Sequence, residues 1–487
     1  MKDRRRIDVR AQVGWIVGKM LLICGVAAIA RAADVPSSYK PLRYDDNFIY
    51  LRDPARGNDF WDPIKYIPLG SPDTYLTLGG ELRERLDHFR NPVFGLSHHR
   101  ASLDDVLQRV LLNADVHAGP HFRAFVQLGN HVAAGKGDLT GPTDVDRLDL
   151  QQGFVDLMAP VAGGSFTLRA GRQEMSFGSQ RLISVREPPN VRRSFDGVRA
   201  TYEAGGARVD AFLTKPVKDK EGLFDDEPDP AQNFWGVYST SPVGPVAGLH
   251  ADFYYLGFEH RHAFFAEGSG HEIRQTLGTR LWGRAGRWDY DTEFTGQGGH
   301  FDRQDIRAWA ISSDTGYTAA GLPLTPRFGL KANIASGNHN PASGTLGTFN
   351  PLFPKLGYFT EAELVIESNL IDVYPSLAIH PAPGLTVSVG GDVLWRESVH
   401  DGFYEAPFVP LIRGPGASGQ ASVVPLTPTA GHTGRYIGTE AQLFLDWQAN
   451  RHIDVVAAYV HFAAGPTLTA AGGKSVDFAG TRVAYQF

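Results

Sequence analysis

Arginine is the residue in this chain best suited to recognising a charged partner, and it recurs at spaced positions with apolar residues between. Arg83 and Arg85 lie two apart. Arg109, Arg123, Arg169, Arg274, Arg280, Arg396 and Arg482 sit in comparable alternating stretches, as does Lys331. A guanidinium presents a planar fork of donors matched to a carboxylate, which the point charge of lysine does not. Rings of such groups around a wet passage select anions. Carboxylates share the same parity, among them Glu81, Asp87, Asp115, Asp291, Glu293, Asp392 and Glu440. Each arginine therefore has two readings, as a brace paired to a wall carboxylate or as part of a conducting lining. These ten basic residues are the expected lining. No catalytic set is expected, because no nucleophile elbow, phosphate-binding loop or zinc-protease motif occurs in a suitable context. The 17 histidines show no metal-ligand spacing. The acidic run Asp225-Asp226-Glu227 with Asp229 fits no calcium loop, so neither metal nor cofactor is expected.

The elements that must carry these side chains are strands. In 74–89, Leu76, Leu78, Leu82 and Leu86 share one parity, and Thr77, Glu81, Arg83, Arg85 and Asp87 share the other. In 384–398, Leu385, Val387, Val389, Val393 and Trp395 oppose Thr386, Ser388, Asp392 and Arg396. One face suits lipid and the other a watery lumen. Eighteen such segments are expected, at about 74–89, 103–117, 121–132, 147–158, 165–174, 195–204, 207–215, 233–242, 248–260, 271–285, 287–298, 304–317, 325–336, 369–380, 384–398, 435–447, 451–463 and 476–487. The facing of 147–158, 248–260, 304–317 and 451–463 is ambiguous. Tight turns such as Gly119-Pro120, Gly205-Gly206 and Ala449-Asn450 alternate with excursions at 133–146, 175–194, 216–232, 337–368 and 399–434. Short periplasmic turns against long external loops describe an all-β, transmembrane, antiparallel up-and-down barrel. The last strand ends on Phe487, the aromatic terminus that barrel assembly machinery recognises.

The first 32 residues read as a secretory signal. Lys2, Arg4, Arg5, Arg6, Arg10 and Lys19 precede the apolar run Met20 to Ala30, and Ala30-Arg31-Ala32 offers a cleavage pattern. The single cysteine, Cys24, lies in that run after Ile23, which argues against lipoprotein processing and leaves the mature chain without disulfides. Removing seven basic and two acidic residues leaves 40 basic against 51 acidic, a balance that excludes nucleic acid as a partner. Segment 33–73, rich in Pro, Asp and aromatics, is expected at the periplasmic mouth or partly inside the lumen, ahead of a barrel over 74–487. The expected setting is the outer membrane of a Gram-negative cell, in contact with lipid and lipopolysaccharide.

LTLGGELRERLDHFRNP (76–92), LRAGRQEMSFGSQRL (168–182), RRSFDGVRATYE (192–203) and DFAGTRVAYQF (477–487) together resemble the alginate export family of outer-membrane barrels. YLRDPARGNDFWDPIKYIPLG, ahead of the barrel, is similar to that family as well. The resemblance implies an eighteen-stranded, monomeric, non-enzymatic barrel that exports a polyuronate through a narrow arginine-lined conduit. It implies gating by an outer and a periplasmic loop, periplasmic export partners, and pore roles for Arg83, Arg169, Arg396 and Arg482. The residues alone leave open a porin for uptake of small anions or oligosaccharides, and an adhesion or enzyme barrel with a plugged lumen.

Overall fold

A computed structural model describes residues 39–96, 101–244, 248–412 and 434–487, so the proposed signal lies outside the described residues. Eighteen long strands form the wall: β1 Ser71–Arg90, β2 Ser102–Ala118, β3 Phe122–Ala134, β4 Asp146–Val161, β5 Gly164–Gln173, β6 Phe195–Ala204, β7 Ala207–Lys218, β8 Gln232–Pro242, β9 Leu249–Phe265, β10 Gly268–Ala285, β11 Trp288–Phe301, β12 Gln304–Thr318, β13 Arg327–Ala335, β14 Leu370–Ala382, β15 Leu385–Trp395, β16 Tyr436–Gln448, β17 Ile453–Ala464 and β18 Val476–Gln486. Each pairs antiparallel with its neighbours in sequence, and β1 closes on β18 from Glu81 opposite Gln486 to Arg90 opposite Asp477. Closure leaves no free sheet edge, the condition for crossing a bilayer with strands. Among the described residues no helix is long and apolar enough to cross a membrane.

Burial runs opposite to that of a soluble protein. Leu112, Leu157, Leu213, Phe253 and Leu277 are more than half exposed on the outer wall, whereas Arg83, Glu81, Asp156, Arg274 and Glu440 are buried inside. That is the pattern of a wall whose outer solvent is hydrocarbon. All eighteen expected segments appear in order. The largest boundary differences have local causes. The β9–β10 hairpin continues past a bulge between His260 and Ala263, where the run His260-Arg261-His262 hides the alternation. β15 stops at Trp395, just past a bulge at Leu394/Trp395 that shifts its register with β16.

The four strands of ambiguous facing share one property. Phe154 on β4, Tyr254, Leu256 and Phe258 on β9, Ala308 and Ala310 on β12, and Ala458, Val460 and Phe462 on β17 are apolar yet packed within buried clusters. The lumen behind them holds protein rather than water, so the polar half of the alternation is lost.

Segment 39–66 lies at the end with the short turns. Asp59 meets His452 at 2.6 Å, Trp61 donates to Tyr485 Oη at 2.7 Å and stacks on Phe487 at 4.4 Å, and Lys65 donates to Leu78 O at 2.7 Å. The segment thus ties β1 to the β16–β17 turn and to β18, across the closing seam. Tyr44 enters the lumen, where it packs edge-on to Phe125 and Phe154.

Candidate functional site: the lumen and its two internal loops

Two long connections fold inward. The 174–194 loop, between β5 and β6, and the 336–369 loop, between β13 and β14, meet inside the barrel. Ser184 N–H donates to Phe353 O, and Phe353 N–H to Leu182 O, both at 2.9 Å. Met175, Leu182 and Ile183 from the first and Phe349 and Phe353 from the second share a core with Phe195, Phe212, Phe234 and Tyr254 on the wall. Burying such side chains contributes roughly 1.5–3 kcal/mol each, which offsets the entropy of ordering two irregular loops.

The first loop is pinned by charge at both ends of its crossing. On one side Arg83 reaches Glu187 at 2.5 Å and Arg109 reaches it at 2.9 Å. On the other, Arg181 bonds Glu293 at 2.8 Å and the Tyr358 hydroxyl at 2.9 Å. Burial alone would raise the Glu187 carboxyl, but Arg109, Arg83 and Arg192 outweigh it and hold it well below the usual carboxylate range. The second loop is pinned differently. Glu363 meets Arg85 at 3.2 Å, Thr360 donates to Glu440 at 2.6 Å, and Glu367 accepts a bond from Ser312. Burial pushes Glu363 and Glu367 up to about 7, against the nearby charges of Arg85 and Arg181 respectively.

The ten expected lining residues are placed as follows. Arg83, Arg85 and Arg109 face inward from β1 and β2 and hold the 174–194 loop. Arg123 pairs with Asp115 at 2.8 Å and bonds Tyr44 O. Arg169 forks onto Asp156 at 2.8 and 2.9 Å, in the corner between the perpendicular rings of Phe154 and Tyr44. Arg274 is wholly buried against Glu272, Gln297 and Thr348 O, so it does not face open space. Arg396 departs further from expectation: it lies beyond the end of β15, fully buried, and its guanidinium binds Asp401 O at 3.1 Å and Gly434 O. It anchors an outer connection rather than lining mid-wall, because the ladder has already ended at Trp395. Arg482 is the loosest, 3.4 Å from Asp454.

Arg280 and Lys331 do border open space. A cavity of about 580 Å³ lies between the tips of both internal loops and the inner wall of β9–β13. Arg181, Arg280, Arg284, Arg327 and Lys331 border it, with Asp289, Asp291 and Asp314 among them. Arg280 forks onto Asp291 at 2.7 and 2.9 Å, and Arg327 meets Asp289 and Asp314. Arg284 is exposed and makes no ion pair among the described residues. Trp282, stacked on His250 at 4.3 Å, lines it with Tyr290 and Tyr358. Lys331 donates to Tyr358 O at 2.7 Å and lies 4.2 Å from that ring. Forked cations beside aromatic faces can grip a carboxylate while a ring stacks. Arg181, Glu187, Tyr44 and Tyr358 were not singled out from sequence, since they sit in segments without periodicity, and the charges of Arg181 and Glu187 do not stand out beside Glu174, Arg186, Arg192 and Arg193 in the same loop.

Comparison with solved structures finds barrels of the same architecture. OpdK of Pseudomonas aeruginosa, solved with vanillate, aligns with TM-score 0.53 at 10% identity, over 84% of this chain and 98% of that one. A BenF-like porin from Pseudomonas fluorescens Pf-5 gives 0.54 at 8% identity, over 85% and 98%. OpdQ of Pseudomonas aeruginosa gives 0.54 at 12%, with the same coverage of 85% and 98%. At these identities the likeness shows the fold alone. None of the curated protein sequences compared with the chain is similar to it at a significant level. The sequence profile described as alginate export matches residues 74–482, the whole of the barrel but its first and last few residues. With the closed eighteen-stranded wall, this places the protein in the outer membrane, and the chain belongs to the alginate export family.

Proposed function

We propose that the protein is a passive outer-membrane channel, not an enzyme, whose cargo is an anionic saccharide, with export of alginate or a related polyuronate as the leading reading. The carrying observation is the cavity at the loop tips, where five basic side chains and the rings of Trp282 and Tyr358 converge. A uronate unit offers a carboxylate for the guanidinium forks and a pyranose face for the rings. The family match favours a polymer. A cavity of about 580 Å³ holds only a short piece of one, so a polymer requires the internal loops to move. Arg83, Arg85, Arg109, Arg123, Arg169 and Arg482 then become the inner wall that the moving chain meets, each exchanging a protein carboxylate for a cargo carboxylate.

A second reading is a porin for uptake of small anions or oligosaccharides. It is supported by the limited cavity and by the porins that share the fold. Single-channel conductance with uronate oligomers of increasing length separates the two. Block that strengthens with length supports a polymer path; block by monomers alone supports the porin; no conductance under any condition refutes both. Replacing both residues, Arg83→Gln with Arg169→Gln, is expected to lower anion selectivity in planar bilayers, and unchanged selectivity removes their assigned role.

A further inference from the structure

On β1 the outward parity runs Leu82, Glu84, Leu86, with Glu81, Arg83, Arg85 and Asp87 buried on the lumen side. Glu84 therefore stands on the lipid face. Its cross-strand neighbours are Gln108 on β2 and Val483 on β18, and the adjacent rows pair Leu82 with Val110 and Leu86 with Val106. The strand also fixes its depth. Gly80, below it, exchanges backbone hydrogen bonds with Phe487, on which Trp61 stacks at the periplasmic end. His88, above it, pairs with Asp104 at 2.7 Å, and both are more than half exposed toward the outer end. At about 3.4 Å per residue and a tilt of about 40°, each of these four-residue steps rises about 10 Å. Glu84 thus lies near the middle of an apolar band about 25 Å tall.

The polar pair is only half satisfied. Gln108 Nε2 donates to Glu84 Oε1, while Glu84 Oε2 and Gln108 Oε1 have no hydrogen-bond partner among the described residues. Hydrocarbon offers neither donor nor acceptor, so an ionisable side chain on this face carries a cost that lipid cannot relieve. A protein surface can, since side-chain hydrogen bonds are among the forces that associate segments inside a bilayer. Beside the pair the wall recedes. A groove of about 480 Å³ crosses the β1–β18 seam, where Ala457, Ala479 and Thr481 lie between Leu86 and Val106 on one side and Leu443 on the other. Small residues flanked by larger ones let two surfaces approach closely.

We propose that this face is a contact between two copies of the chain, in which each Glu84–Gln108 pair hydrogen-bonds its counterpart across a two-fold axis. In such a contact the same patch meets itself, so a patch serves only if it carries both donor and acceptor. Gln108 offers an amide with a second N–H, and Glu84 offers the free oxygen that receives it. The acyl tail of a lipid supplies neither at this depth. The assembly departs from the monomer that the family resemblance implies, and it leaves each copy its own lumen.

The test follows the full mature chain by sedimentation equilibrium in density-matched detergent micelles at rising protein concentration. A reversible dimer is expected, weakened at least tenfold in the paired variant Glu84→Leu with Gln108→Leu. Glu84→Gln, which keeps a donor and an acceptor, should retain it. Cys24 is the only cysteine and lies in the proposed signal, so Leu82→Cys gives the mature chain a single thiol. In lipid vesicles that thiol should cross-link two chains under mild oxidation, whereas Leu277→Cys, across the barrel on β10, should not. A parent that stays monomeric at every concentration, or a leucine pair that associates as the parent does, would overturn the contact. So would equal cross-linking at both cysteines, or a loss in Glu84→Gln as complete as in the leucine pair. Both side chains face away from the lumen, so the outcome does not depend on the transport reading.

Discussion

The two internal loops fill the same lumen but are fastened by opposite electrostatics. In the 174–194 loop, Glu187 is ionised and gripped by Arg83 and Arg109, with Arg192 3.9 Å away. In the 336–369 loop, Glu363 and Glu367 are pushed up to about 7, which leaves them partly protonated near neutral pH. The first behaves as a fixed bar whose fastening does not depend on pH near neutrality; the second is an acid-held latch. If the channel must widen for its cargo, the latch is the side that yields.

The largest expected effect comes from breaking the bar. Glu187→Gln leaves Arg83 and Arg109 without their shared carboxylate, at a cost of about 3–5 kcal/mol. A lower thermal transition in detergent and a raised single-channel conductance should follow; a transition equal to the parent's would show that the bar is not held by charge. A smaller effect separates the loops by pH. A carboxyl raised in the folded state weakens loop docking as pH climbs from its ordinary value near 4.5 through about 7, with the full loss present above that. Glu187, held low, contributes stability above its ordinary value and loses it only as pH falls through its depressed one, so it is constant from pH 5 to 8. Hydrogen exchange at pH 5 and pH 8 should show protection falling over 356–368 but not over 181–193. The paired variant Glu363→Gln with Glu367→Gln should abolish the difference, and equal loss in both loops would erase the contrast. The smallest effect belongs to Arg284→Gln at the cavity mouth. It should shift anion selectivity slightly and stability by less than about 0.5 kcal/mol; a large destabilisation would mean that Arg284 braces the wall.

The wall was legible in the sequence because a strand between lipid and water must alternate, and the Arg83–Arg85 parity follows directly from that rule. The four ambiguous strands were unreadable for the converse reason: Phe258 and Val460 face inward onto loop side chains, so both faces are apolar. A lost alternation within a clean series is thus itself a sign of a filled lumen. The roles of the arginines were less legible. Their inward direction and wall partners such as Asp115, Asp156 and Asp291 follow the periodicity, but Glu187 and Glu363 come from loops that have none. Arg396 was misplaced because the alternation of the sequence runs on to it, one residue past the last paired residue of its strand.

Trp61 rests on Phe487, and Lys65 on the backbone of β1, so a stretch synthesised before the first strand is completed only by the last residue of the chain. Its Lys65 half rests on β1 alone, whereas its Trp61 half finds its platform only where β18 has closed on β1. The stretch therefore acts as a rivet across the two edges of the sheet, holding the first strand to the last.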